Sequence, residues 1–153
     1  MTESARIAKL LRHAFAGDAW HGDSVLELLA GVSARTAASH PIARAHSIWE
    51  LVLHIAAWDD AVNRRIVTGK AVSLSDEQNF PAVTEGSQAA WKQALEQLSQ
   101  THDELIQTVA ALPDSRLDER VPGKSYSVYF MLHGITQHEL YHAGQIAILK
   151  KAG

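Results

Sequence analysis

His138-Glu139-Leu140-Tyr141-His142 spells H-E-x-x-H. Residues four apart share one helical face, so both imidazoles can converge on a single ion. At about 100° per residue, the same line carries Met131, Gly134, Ile135, Gln145, Ile146 and Leu149. The pair therefore sits on an otherwise apolar stripe directed into a core. Imidazoles buried without partners are costly, and a shared metal satisfies both. Zinc proteases with this motif take a third ligand from downstream. Only eleven residues follow His142 and none is His, Asp, Glu or Cys. A third ligand must come from upstream, or not from the protein.

The best upstream candidate is His54, within SIWELVLHIAAWDD. Ser47, Glu50 and His54 form the only polar stripe of a segment that is otherwise apolar around most of its circumference. That stripe faces either solvent or a polar site between helices. In the second case His54, His138 and His142 make a three-His set that leaves positions for water and substrate. Glu139, Tyr141 and Glu50 are the candidates for proton transfer. Glu139 lies about 100° around the helix from His138 and borders the site. Gln145 is a candidate hydrogen-bond partner for a ligand histidine. His21 and His46 lie in segments that can reach a site, whereas His13, His40, His102 and His133 read as surface or loop residues. Trp49, Trp58 and Trp91 fall at core spacing, and Trp20, in a break between helices, reads as a pocket wall.

The elements that must position these side chains are helical. The chain has 153 residues, enough for one domain over 1–153 and too few for two good cores. Thr2 to Phe15 forms a first helix, and Ser24 to Ala38 a second block weakened at Gly31. A long helix spans about Ala43 to Val67 and stops at Gly69. Residues 70–83 form a loop, another helix runs from about Thr84 to Leu112 before Pro113, and residues 113–125 form a second loop. The last helix covers about Ser127 to Lys150. No segment alternates at period two. The expected fold is all-α, a four-helix bundle.

Composition narrows the function. Nine His outnumber the six Lys and the eight Arg, and neutral imidazole is the commonest metal ligand. Cysteine is absent, which removes disulfides, thiolate sites and a cysteine nucleophile. The net charge of -3 offers no basic field for nucleic acid. The most apolar run, Ile48 to Trp58, is far short of a membrane span. The N-terminus lacks the features of a signal peptide, so the cytoplasm is the expected location.

Three segments, AWHGDSVLELLAGV, HSIWELVLHIAAWDD and LHGITQHELYHAGQI, resemble in order and spacing the DinB/YfiT-like superfamily of bacterial four-helix-bundle proteins. The most specific element is H-x-x-x-H-A-G-Q-I, here His138 to Ile146, paired with Trp49, His54 and Trp58. The resemblance covers about Ala5 to Lys150. It implies a divalent metal, zinc or nickel foremost, on His54, His138 and His142, and a homodimer. It also implies a small-molecule substrate, with thiol S-transferases using bacillithiol or mycothiol among the similar proteins.

The resulting expectation is a metal-dependent enzyme. The ion would activate either a low-molecular-weight thiol for transfer or water for hydrolysis. The alternative is a non-catalytic module for metal binding, stress response or dimerisation. A structural site would require a fourth protein ligand.

Overall fold

The structure, a computed structural model, describes all 153 residues. It contains seven α-helices: α1 (Glu3–Ala16), α2 (Val25–Leu29), α3 (Ala34–Ala38), α4 (Ile48–Thr68), α5 (Asp76–Asn79), α6 (Gln88–Ala111) and α7 (Val128–Ala152). A 3-10 turn spans Asp114–Arg116, and a lone antiparallel bridge joins Arg120 to Ser127. The all-α expectation holds, with three short helices in addition to the four long ones. No helix is long and apolar enough to cross a membrane.

Hydroxyl caps set most of the starts. Ser47 Oγ accepts the amide of Glu50 at 3.1 Å, while Glu50 Oε2 accepts the amide of Ser47 at 2.8 Å. This reciprocal pair satisfies two amides that an N-terminus leaves free. It also explains why α4 begins at Ile48 and not at Ala43, because Arg44, at φ 66°, breaks the preceding turn. Ser75 makes the same reciprocal pair with Gln78, and the hydroxyls of Thr2, Ser33, Ser87 and Ser127 each accept one amide of the first turn of their helices. The block expected from Ser24 to Ala38 divides into α2 and α3 around Gly31, which adopts φ 74°. Gly69, at φ 61°, ends α4 in the left-handed conformation that glycine takes at little cost.

The long helices pack in a ring, with α6 and α7 each touching both α1 and α4. Two apolar clusters fill its interior. One gathers Trp49, Val52, Ile55, Trp91, Leu98 and Ile146, against which α2 and α3 pack. The other gathers Ile7, Leu11, Val62, Leu105, Leu132 and Ile135. Trp91 is fully buried, and its indole N–H donates to Val32 O at 2.7 Å, tying α6 to the α2–α3 connection. Between the two clusters lies a polar layer of Asp59, His102 and Glu139, one residue from each of α4, α6 and α7. All three are completely buried.

A candidate metal centre of three histidines

The same turn of α7 serves two environments. His138 and His142 lie on the side that meets His54 of α4, and Glu139 points into the ring. His138 Nε2 is 2.9 Å from His54 Nε2 and 3.1 Å from His142 Nε2. The ligand-capable nitrogens of the trio all lie within 4.8 Å of one another. Four-residue spacing on α7 and a capped, continuous α4 bring this about.

The outer nitrogens of two rings are fixed from behind. His54 Nδ1–H donates to the backbone oxygen of Asn79 at 2.6 Å, and His142 Nδ1–H donates to Gln145 Oε1 at 2.5 Å. Each such bond selects the tautomer whose Nε2 carries the lone pair. Phe80 stacks on His54 at 4.0 Å and His46 stacks on the other face of Phe80 at 3.8 Å, which fixes the ring plane. Burial depresses the basicity of all three imidazoles. In His138, burial and then the neighbouring His142 and His54 push the pKa down to about 3. For His54 and His142 the shift is also downward, with burial the largest cause. At neutral pH the trio is therefore uncharged.

The donor set suits a cation. Lone pairs of His54 and His142 both face His138 Nε2, which has at most one proton to share between them. His138 Nδ1 is buried with no hydrogen-bond partner. Metal–imidazole bonds of about 2.0–2.1 Å at a tetrahedral angle place the nitrogens ~3.3 Å apart. The two contacts to His138 Nε2, at 2.9 and 3.1 Å, need to lengthen by only a few tenths of an ångström to reach that spacing. No fourth His, Asp or Glu joins the group.

The proton-transfer candidates occupy different places. Glu139 is turned away from the trio: its Oε1 lies 2.9 Å from His102 Nδ1, which also lies 3.1 Å from Asp59 Oδ2. The reason is angular, since a neighbour in a helix points about 100° away. Glu50 is occupied by the α4 cap and by His40 and His46 at 3.2 and 3.3 Å. Tyr141 meets His142 edge to face at 5.1 Å, with most of its side chain exposed. Trp20 is fully exposed and forms no pocket wall, and His102, read as a surface residue, is completely buried. His46 is no member of the trio and packs against it across Phe80.

Asp59, His102 and Glu139 form a second group whose ligand atoms lie within 4.8 Å of each other. Phe15 of α1 stacks on His102 at 3.8 Å and seals it. Burial alone would depress His102, but its hydrogen bond to Asp59 and the adjoining Glu139 carboxyl outweigh it and hold the imidazole up at about 9. Burial raises both carboxyls, Glu139 to about 8. The layer thus sets two carboxyl groups against one nitrogen, Nδ1, of an imidazolium whose Nε2 is buried without a partner, and Glu139 keeps its proton near neutrality.

Beside the trio is a cavity of about 240 Å³ whose wall includes His138, Trp58, Tyr126, Met131 and Ile135. Sequence reasoning did not find this cavity, the polar layer, or the parts played by Asn79 and Phe80. The last two lie at the C-terminal end of a short helix, α5, inside what reads as a loop.

An all-α chain with three neutral histidines converging beside a cavity is compatible with metal binding. The model of the DinB superfamily matches residues 19–146, and the chain belongs to that superfamily. No curated protein and no solved structure matches it.

Proposed function

We propose that this protein is a divalent-metal-dependent enzyme acting on a small molecule, with His54, His138 and His142 as ligands. The observation that carries this reading is the convergence of three neutral imidazoles, two with their tautomers set from behind, next to an open cavity. A closed structural site takes four protein ligands, and this group has three. When bound, zinc or nickel would supply a Lewis acid that lowers the pKa of a water or of a thiol. Chemistry on a low-molecular-weight thiol fits a chain without cysteine.

The chain's own residues contribute orientation and exclusion of water. Asn79 and Gln145 hold two rings in place, and Phe80 and Trp58 cover the His54 side. Tyr141 is the proton-transfer candidate in contact with the trio. The test is turnover of low-molecular-weight thiols with electrophilic acceptors, and of simple esters, by zinc- or nickel-loaded protein. Consumption that disappears in His54→Ala supports the reading. No consumption with either metal and either class of substrate rejects it.

A further inference from the structure

Arg65 is an unusual charge. It lies on α4, only 4% exposed, and forms no ion pair with any carboxylate. Its Nε and Nη2 donate to one backbone oxygen, that of Val72, at 3.0 and 2.7 Å. Nη1 faces weaker partners, Tyr126 Oη at 3.4 Å and Met131 Sδ at 3.8 Å. The guanidinium sits 5.6 Å over the Trp58 ring. Buried charges in proteins are ordinarily paired. With the Nε–Nη2 edge taken by Val72, Nη1 is the donor left facing weak partners and able to meet an anion. Trp58, Tyr126 and Met131 all line the cavity beside His138, as does Arg65 itself.

Gly134 lines the same cavity, one turn before His138 on α7. Glycine is a poor residue for the middle of a helix. A Cβ placed there would meet nothing within 4 Å, so protein packing does not require glycine at this position. A larger side chain would instead project into the cavity. A cavity of ~150 Å³ holds a benzene molecule. The 240 Å³ available here accommodates one ring, or a branched short chain, with a substituent.

We propose that this cavity recognises a small carboxylate with a compact apolar body, whose anionic group pairs with Arg65 and whose apolar body rests against Trp58, Val62 and Ile135, with Gly134 keeping the space open. The inference names the substrate class for the function proposed above and rests on that reading for its chemistry. The binding it describes is independent of an ion.

Phenylacetate and its uncharged amide, phenylacetamide, are the probes. Calorimetry and ligand-observed NMR measure their binding to the protein as purified and after chelation, with circular dichroism verifying the fold and elemental analysis the metal content. The acid should bind at least roughly tenfold more tightly than the amide, the difference expected for one charge-assisted pair. The preference should survive chelation. Gly134→Leu should abolish binding of both probes with the helix intact, and Arg65→Met should make acid and amide equal. Should Arg65→Met fail to fold, the acid–amide comparison and Gly134→Leu still decide. Absence of binding, equal affinities in the wild type, a preference lost on chelation, or binding that survives Gly134→Leu would each overturn the proposal. A protein that takes up no metal yet discriminates acid from amide would leave the cavity assignment standing while the three-histidine reading fell. A metal-loaded protein that ignores both probes would do the reverse.

Discussion

The Nε2 atoms of His54 and His138 lie 2.9 Å apart, although 84 residues separate them in the chain. Two lone-pair-bearing nitrogens hold that distance only with a proton or a cation between them. His142 Nε2 lies 3.1 Å from the same His138 atom. One proton cannot serve both contacts fully, so a shared ion is the better match to the geometry.

The residues behind the ligands should matter almost as much as the ligands. Gln145 accepts from His142 Nδ1 and orients its ring. Gln145→Leu removes that acceptor without opening the core, and should weaken metal affinity by about 10- to 100-fold. Competition with a chelator of known affinity measures it. Unchanged affinity would mean that packing alone orients His142.

Acid should destabilise the metal-free protein through the trio. His138 is pushed down to about 3 when folded, whereas its ordinary value is 6.5. Between these values the unfolded chain binds more protons, so stability falls as pH drops. His54 and His142 shift in the same direction. Thermal melts should therefore decline from pH 6.5 downward, and His138→Phe should flatten that limb. A variant with the wild-type slope would place the acid sensitivity elsewhere.

The buried layer should govern the alkaline limb. His102, held at about 9, and Glu139, raised to about 8, keep protons that the unfolded chain gives up near 6.5 and 4.5. Their contribution to stability is complete below those lower values and is lost as pH rises through 8 and 9. Glu139→Gln mimics the protonated carboxyl, so it should fold at neutral pH and melt with a shallower alkaline decline. Glu139→Ala leaves buried partners unsatisfied and should cost about 1–3 kcal/mol. Equal alkaline slopes for wild type and Glu139→Gln would contradict this account.

Much of this was legible in the sequence. Helix period and capping residues placed the four long helices within a few residues, and H-E-x-x-H on an apolar stripe marked two of the three histidines. The polar stripe of His54 left solvent and site both open, and the family resemblance is what joined it to the pair. Other features depend on tertiary packing. His102 reads as a surface residue because its partners, Asp59 and Glu139, come from helices 43 and 37 positions away, and Phe15 covers it from a fourth. Glu139 looks like part of the motif's chemistry, yet it belongs to the core on the other side of the same turn. Asn79 acts through its backbone oxygen, for which residue type carries no signal.

Whether the three histidines form one metal site is decided by elemental analysis of untagged protein beside His54→Ala and His138→Ala. The wild-type chain should hold about one divalent ion after incubation with zinc or nickel, and each variant should lose it. A wild-type chain that takes up neither metal, or a His54→Ala variant that retains a full equivalent, would contradict a single three-histidine site.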